Sequence, residues 1–468
     1  MFSPNSLFRQ SKYLVLLTIA VVWCQPNHIS AETNWHAGLA SEVITPNGAM
    51  WMAGYASRTK PAEGKIHDLY AKAIALESPN KTRLVIVTLD LISIPYPIRD
   101  YLEAEVKKRF DLPPAGLLMN CSHTHCGPEI RTTRWSNDGL PAERLATAKS
   151  YVTFLKSKLV QVVEHALEDL QLADVSFCRA RCGFAMNRRL PSPNGYRNFP
   201  NPNGPVDHDV PVLSVRNAAG KLRGILFGYA CHNTTLSSYQ FCGDFAGFAQ
   251  QVLEKANPGV LALYMQGCGA DINPYPRRTL ELAKQHGQSL ATAVQSALDT
   301  VATPLVGELR TSYGKATVEY STPPTKDELV ERTKSSNKYI AIHGQRLLTQ
   351  LEIDGHLRST YNCPIQVVHL GNNLKMIALP GETVVDYALR IKSELTTTPD
   401  PGASVWVAGY CNDVFAYVPS RRVLLEGGYE AGDAMKYFTT VLQHGPFAQN
   451  IEEIIVRKVY ELNKSLEK

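Results

Sequence analysis

The feature that most limits the folds open to this chain is an alternation of apolar runs and amphipathic segments along its whole length. The apolar runs 83–92 and 116–120 flank an amphipathic stretch at 98–110. Short apolar runs bounded by turn residues are typical of buried strands, and an apolar stripe repeating every 3.6 residues is typical of helices. Strands that take turns with helices predict an α/β fold with largely buried sheets.

The same alternation predicts the remaining elements. Further strands are predicted at 209–217, 222–230, 260–266, 365–371, 374–380 and 404–409. Further helices are predicted at 142–171, 245–256, 280–298 and 383–395. We find no internal repeat and no clear linker, and the weakest join is the polar segment 321–336. We therefore predict a single large domain of layered β-sheets flanked by helices, with two fused halves as the alternative for a chain of this length.

Composition excludes several classes of protein. The chain is 44% hydrophobic and 19% charged, as in an ordinary globular protein. Its formal net charge is +5, and no run of Lys and Arg forms a patch for nucleic acid. We therefore predict no nucleic-acid partner.

The first residues have the layout of an export signal. Arg9 and Lys12 precede the apolar stretch 13–23, and the small residues Ser30 and Ala31 follow it. A stretch of this length is too short to cross a bilayer as a helix. We predict a signal peptide at 1–31, a catalytic domain at 32–468 without a transmembrane segment, and export to the periplasm or the exterior. A lipoprotein anchor at Cys24 is the less favoured alternative, because a bulky Trp precedes that residue.

Nine of the ten cysteines follow Cys24, so at least one thiol of an exported chain would stay unpaired. Cys178 and Cys182 are close in sequence, but a straight strand would hold their Cα atoms too far apart for a disulfide. We interpret most of these cysteines as small buried residues.

Polar side chains follow five of the predicted strands. They are His123 and His125, His232, Asp271, Glu382 and Tyr417. Ligands of open α/β sheets gather at the carboxyl ends of strands, and histidines with a glutamate form the ligand set of a catalytic zinc. A histidine after a strand is also often a hydrogen-bonded structural residue, and the chain has no His-Glu-x-x-His spacing. These residues alone leave both interpretations open.

A series of motifs between Gly38 and Gly432 is more specific. In order, the motifs are GLASEVITPNGAMWMAGYA, GKIHDLYAKAIALE, SHTHCGPE, MNRR, CHNTTL with CGDFAGFA, GADINP, LPGE, and GYCNDVFAYV with YEAG. The chain resembles the catalytic region of the neutral, non-lysosomal ceramidases through these motifs, and their shared order makes the resemblance stronger than any one match.

The resemblance implies one zinc ion (Zn2+) per chain. The ligands would be His123, His232, Glu382 and Tyr417. The implied activity is hydrolysis of the N-acyl bond of ceramide to fatty acid and sphingosine by metal-activated water.

The resemblance also assigns three catalytic residues. His125 and Tyr429 would line the pocket for the oxyanion, and His125 would be placed to pass a proton to the leaving amine. Arg188 would orient polar groups of the substrate or hold Glu382.

Two departures from the family pattern stand out. Asn273 occupies the position of a family serine, so a hydroxyl there cannot be essential, and no Gly-x-Ser-x-Gly elbow replaces it. This favours water as the nucleophile. The sequence ends at Lys468, near the end of the family's catalytic region, which predicts that the C-terminal β-sandwich domain is absent.

The substrate is the least determined feature. The segment 189–207 is rich in Pro, Asn and Gly and is predicted to be a substrate-side loop whose side chains suit a polar ligand as well as a lipid. The expected partner is therefore a small-molecule or lipid amide. Hydrolysis of another N-acyl compound, such as an N-acylated amino sugar, and a non-catalytic metal-stabilised binding protein remain as alternatives. The oligomeric state is not predicted.

Overall fold

This computed structural model describes residues 35–133, 140–396 and 403–467. The predicted signal peptide at 1–31 and Cys24 lie outside the described residues. Among the described residues, no helix is both long enough and apolar enough to span a membrane.

The strands and helices follow one another along most of the chain. The strands are β1 (Trp35–Val43), β2 (Gly64–Lys65), β3 (Tyr70–Glu77), β4 (Arg83–Leu89), β5 (Leu117–Cys121), β6 (Gln171–Arg181), β7 (Ala185–Ser192), β8 (Gly195–Asn201), β9 (Asp209–Asn217), β10 (Leu222–Tyr229), β11 (Gln240–Phe241), β12 (Leu261–Gln266), β13 (Ile272–Pro274), β14 (Thr303–Pro304), β15 (Leu309–Glu319), β16 (Thr360–Leu370), β17 (Leu374–Ala378), β18 (Glu382–Thr383), β19 (Ser404–Ala408) and β20 (Tyr417–Val418). The helices are α1 (Tyr96–Phe110), α2 (Ala142–Glu168), α3 (Asp244–Ala256), α4 (Leu280–Leu298), α5 (Lys326–Thr333), α6 (Lys338–Asp354), α7 (Val385–Thr396), α8 (Arg421–Glu426) and α9 (Ile451–Ser465).

Two sheets contain most of the strands. The larger sheet has the order β12-β10-β9-β6-β1-β3-β4-β5, with β14 paired to β6, and the smaller has the order β15-β16-β17-β19. Most neighbours are antiparallel, but β4/β5, β10/β12 and β17/β19 are parallel. Within each parallel pair, the carboxyl ends of the two strands lie side by side.

The two sheets pack face to face between layers of helices. Along β3, Ala73 and Ala75 belong to the cluster formed with α1 and α2, whereas Ile74 and Leu76 belong to the cluster that includes Trp406 of β19. This alternation is that of a strand buried on both faces. On the outer face of the smaller sheet, α7 and α9 complete a separate cluster. The prediction of layered β-sheets flanked by helices is confirmed.

The carboxyl ends of β5, β12 and β19 lie close together. Asn120 bridges Cys411, and Gly267 bridges Ala408. The Asn120 side chain donates to the Gly409 carbonyl at 2.8 Å and accepts from the Gln266 N–H at 2.8 Å. One buried amide thus joins the larger sheet to the smaller one.

Some predicted elements differ from the observed ones. The segment 189–207 is not an irregular loop, because most of it is the hairpin of β7 and β8, paired in turn with β13. The polar segment 321–336 contains α5, which begins with a capping box between Thr325 and Glu328. Leu329 of α5 is buried with Leu347 and Leu348 of α6, so this segment is anchored rather than a linker.

The nine cysteines of the described residues are all buried, and none of these nine is in a disulfide. Their interpretation as small buried residues is confirmed.

Candidate metal centre

His123 follows β5 and has an unusual backbone. Its φ is 58°, in the left-handed region that non-glycine residues seldom adopt. The Nδ1 atom lies 2.6 Å from the carbonyl oxygen of Ile92. A carbonyl can only accept, so Nδ1 carries the proton and Nε2 presents its lone pair to the opposite side.

His232 follows β10 and has the same arrangement. Its Nδ1 lies 2.7 Å from the carbonyl oxygen of Gly269, and its N–H donates to the Ile272 carbonyl at 3.0 Å. The loop after β12 therefore fixes both the backbone and the ring, so Nε2 of His232 also has a free lone pair.

Glu382 and Tyr417 are neighbours because of a short parallel ladder. β18 pairs with β20, and Glu382 lies opposite Tyr417 in this register. The preceding Gly381 has a φ of 68°, and a Cβ there would lie 2.5 Å from Val418. Only glycine permits this approach, which brings the Glu382 carboxylate to the histidines.

These side chains converge on one point. Oε2 of Glu382 lies 3.2 Å from Nε2 of His123 and 3.3 Å from Nε2 of His232. The Tyr417 hydroxyl lies 3.5 Å from Nε2 of His232. Nε2 of His125 lies 3.1 Å from Nε2 of His123, and one ligand atom from each of His123, His125 and His232 falls within 4.8 Å of the others.

The chemistry of these atoms fits a bound metal ion. Two imidazole lone pairs face a carboxylate oxygen, Glu382 Oε2, that has no hydrogen-bond partner. Buried electron-rich atoms this close repel one another unless a cation lies between them. Carbonyls that hold the far ring nitrogens are the usual outer partners of metal-binding histidines.

Burial lowers the pKa of two histidines of the cluster, His125 and His232. It lowers the pKa of His232 to about 3, with Arg188 adding to the effect. Burial, followed by the neighbouring His123 and His232, holds the pKa of His125 well below its usual range. Burial opposes ionisation of Glu382, but His123 and His232 hold its pKa well below the usual range. At neutral pH His125 and His232 are therefore neutral and Glu382 is a carboxylate.

Arg188 lies against Tyr417 and a carboxylate that the sequence analysis did not single out. Its Nη2 donates to the Tyr417 hydroxyl at 3.1 Å, and its Nε donates to Glu430 at 2.8 Å. Its ion partner is thus Glu430. A donor on the Tyr417 oxygen favours the phenolate that metal coordination would require, whereas burial and then the Glu382 charge raise the pKa of Tyr417 well above its usual range.

Tyr429 and Asn273 line the same side of the centre. The Tyr429 ring lies 5.4 Å from the Tyr417 ring, and the Arg188 guanidinium lies 5.8 Å from the Tyr429 ring centre. Asn273 is fully buried and accepts from Arg188 at 3.4 Å. All seven residues that the sequence analysis assigned to the site therefore lie in one connected cluster.

Other residues of the cluster carried weaker signals. Tyr410 packs on the His123 ring at 4.6 Å and places its hydroxyl 3.5 Å from Nδ1 of His232. Tyr55 packs on the His125 ring at 4.8 Å. Both tyrosines lie within the family-like motifs, but only the tertiary contacts distinguish them from other aromatic residues there.

The fold and this cluster define a class of protein, an α/β scaffold of layered sheets with a candidate histidine–carboxylate metal centre at converging strand ends. The family described as "Neutral/alkaline non-lysosomal ceramidase, N-terminal" matches residues 35–268, half of the chain. The chain therefore belongs to the neutral/alkaline non-lysosomal ceramidase family and is a ceramidase-like hydrolase.

Solved structures with the same fold include two ceramidases. The crystal structure of neutral ceramidase from Pseudomonas aeruginosa has a TM-score of 0.70 at 18% identity, covering 93% of this chain and 75% of that chain. A ceramidase complexed with C2 has a TM-score of 0.71 at 18% identity, covering 93% of this chain and 76% of that chain. The sequence matches no curated protein.

Proposed function

We propose that this protein is a zinc-dependent amidase that hydrolyses the N-acyl bond of ceramide or a closely related N-acyl compound. One zinc per chain would be held by His123, His232, Glu382 and Tyr417. The proposal depends on one observation above all. Backbone carbonyls bind Nδ1 of His123 and His232, so that Nε2 of each ring points at Oε2 of Glu382, which has no hydrogen-bond partner.

Different groups at the centre would have different roles in the reaction. When bound, zinc would polarise the scissile carbonyl and lower the pKa of a water molecule. His125 is neutral and faces the centre, so it would accept a proton from the attacking water and donate one to the leaving amine. Tyr429 would donate a hydrogen bond to the oxyanion.

Arg188 would act mainly by positioning. Its contacts with Tyr417 and Asn273 tie a predicted ligand to the residue that replaces the family serine. An amide cannot serve as a nucleophile, so Asn273 supports attack by water and would hold Arg188 in place.

The amino terminus bears on where the protein acts. Residues 32–468 would be the catalytic domain, exported to the periplasm or the exterior after removal of a signal peptide at 1–31. The basic residues, apolar stretch and small-residue site at the amino terminus support this.

A second candidate substrate is a more polar N-acyl compound, such as an N-acylated amino sugar. The exposed Asn198 of β8 lies 3.5 Å from the Asn273 amide. Polar side chains therefore extend from the β7–β8 hairpin to the candidate metal centre. A binding protein without turnover is the remaining alternative, and the test below separates it from both enzymes.

The test combines elemental analysis with hydrolysis of a fluorescent N-acylsphingosine before and after chelation. We expect about one zinc per chain and chelator-sensitive cleavage, both lost in His123→Ala and retained in His356→Ala, whose histidine is exposed. Zinc with cleavage only of an N-acyl amino sugar would favour the second substrate. Zinc without cleavage of either would favour the binding protein, and absence of zinc would refute the proposed centre.

A further inference from the structure

Three arginines lie beside the candidate centre without a carboxylate partner. Within the described parts of the chain, no carboxylate forms an ion pair with Arg58, Arg277 or Arg278. The Arg58 guanidinium is already engaged, because it donates hydrogen bonds to the backbone carbonyls of Ser238 and His125, each at 2.8 Å. Arg277 is half-buried and Arg278 is exposed, so both guanidinium groups remain available to a ligand.

A tyrosine lies between each of the two available arginines, Arg277 and Arg278, and the candidate metal centre. Nη1 of Arg278 donates to the Tyr55 hydroxyl at 3.1 Å, and the Tyr55 ring packs on His125. The Arg277 guanidinium lies 5.4 Å from the Tyr275 ring centre, and the Tyr275 hydroxyl lies 3.4 Å from the Asn273 amide. The guanidinium groups therefore lie one aromatic ring away from His125 and Asn273.

The local charges favour an anion at this position. Burial and the neighbouring Arg278 lower the pKa of Arg277, so the pair repels itself. The Asp244 charge contributes to the raised pKa of Tyr55. Its carboxylate, however, accepts hydrogen bonds from the N–H groups of Leu236 and Phe245 and not from either arginine. Adjacent cations without a counter-ion are electrostatically unfavourable, and an anionic ligand would relieve their repulsion.

The backbone also holds the pair in an unusual conformation. Arg278 has a φ of 96°, and its N–H donates to the Thr235 carbonyl at 2.8 Å. Helix α4 begins two residues later, and its amino end adds partial positive charge to this region. Glu281 in the first turn forms no ion pair with either arginine.

We infer that Arg277 and Arg278 bind an anionic group of the substrate, a carboxylate, sulfonate or phosphate close to the scissile amide. The preferred N-acyl substrate is then anionic in the part that neighbours the amide, unlike a neutral ceramide. This inference rests on the proposed function for the position of the amide. The binding of the anion itself requires only the two arginines.

The test uses two ureas that resist hydrolysis, so that binding is measured on the zinc-loaded enzyme. Both carry a dodecyl chain, and they differ in a sulfoethyl or a hydroxyethyl group on the other nitrogen. Calorimetry should show about tenfold tighter binding of the sulfonate at low salt, the effect of one or two charge-assisted hydrogen bonds. The double variant Arg277→Gln/Arg278→Gln should lose this preference.

The matched control is Arg390→Gln, because Arg390 is paired with Glu452 and Glu453 on the surface. The control should keep the preference. Equal affinity of wild-type protein for the two ureas, or a preference that persists in the double variant, would overturn the inference. Inorganic phosphate that binds without competing with the sulfonate urea would mark a separate anion site and would also overturn it.

The two proposals fail in different ways. If the anion preference is present but no N-acyl compound is hydrolysed, the proposed function is wrong and the anion site stands. If hydrolysis occurs with no preference for anionic compounds, the inference alone is wrong.

Discussion

At the scale of the residue, the candidate metal centre depends on backbone conformations that few side chains allow. His123 and Tyr410 both have positive φ and lie in ring contact at the centre. Non-glycine residues adopt this region only when surrounding contacts compensate for the strain. The ring orientations are therefore set by their neighbours as much as by the residues themselves.

Gly54 provides a test of this dependence. Its φ is 101°, and a Cβ there would lie 2.6 Å from Cβ and Cγ of His125. We expect Gly54→Ala to displace the His125 ring and to lower kcat/KM for an N-acyl substrate ~10- to 100-fold, as a small misplacement of a reacting group does.

Gly48→Ala is the matched control for that measurement. Gly48 has a similar φ of 93°, but a Cβ there meets nothing within 4 Å. Both variants should lose about 1 kcal/mol of stability from backbone strain. An equal loss of activity in both would show that strain, and not contact with His125, is responsible.

Asp413 gives a second residue-scale prediction, on pH dependence. It lines a polar cleft of about 290 Å³. Its carboxyl accepts from the Tyr361 hydroxyl and from the Tyr96 N–H, and burial raises its pKa to about 7. The folded state then binds a proton that the unfolded state releases, so stability falls as pH rises from about 4 to about 7.

The variant Asp413→Asn cannot ionise and should not show this fall. As pH rises from 4 to 8, the free energy of unfolding of this variant should increase relative to that of wild type by on the order of 3–4 kcal/mol. Urea unfolding at both pH values is the measurement. The exposed Asp111→Asn should show no such gain. Parallel pH profiles for Asp413→Asn and wild type would contradict the raised pKa.

At the scale of the element, an ion cluster attaches the β7–β8 hairpin to the loop after α8. Glu430 accepts from Arg188 at 2.8 Å and from Arg189 at 2.5 Å, and all three side chains are buried. Arg189 also binds Glu426 at the end of α8. This cluster orders the hairpin that the sequence predicted as a loop.

Removing the central charge should destabilise the protein strongly. We expect Glu430→Gln to lower the free energy of unfolding by about 3–5 kcal/mol, because two buried guanidinium groups lose their shared partner. Glu461→Gln, which breaks an exposed pair with Lys458, should change it by less than about 1 kcal/mol. Denaturant titration of both variants is the measurement, and similar small effects would show that the buried cluster is not structural.

At the scale of the whole molecule, the proposed metal ligands come from both large sheets. His123 and His232 follow β5 and β10 of the larger sheet, whereas Glu382 and Tyr417 follow β17 and β19 of the smaller one. A bound ion would therefore link the two sheets at the edge where their strand ends meet.

Metal removal should consequently lower global stability. A ligand present at a thousand times its dissociation constant stabilises the folded state by about 4 kcal/mol, so chelation should lower Tm by several degrees and zinc should restore it. His123→Ala should show no change in Tm on chelation. A Tm of wild-type protein that is unaffected by chelator and by zinc would argue against a metal link between the sheets.

The sequence by itself determined much of the local structure. The predicted strand 209–217 and helix 280–298 have the observed bounds, because periodicity and turn residues are local properties of the chain. The polar residues after apolar runs included five residues of the cluster, and the family resemblance added Arg188 and Tyr429 and assigned the roles. Strands such as β6 and β15 went unpredicted because their faces are half exposed and carry charged residues.

Only the tertiary structure decided how those pieces meet. The bridge between Asn120 and Cys411, the ion partner Glu430 of Arg188 and the packing of Tyr410 on His123 each join residues more than 200 positions apart. No local pattern encodes such pairings, since they depend on sheet order and on the packing of one sheet against the other. The same holds for Arg277 and Arg278, whose lack of a carboxylate partner among the described residues became visible only once every neighbouring chain segment was in place.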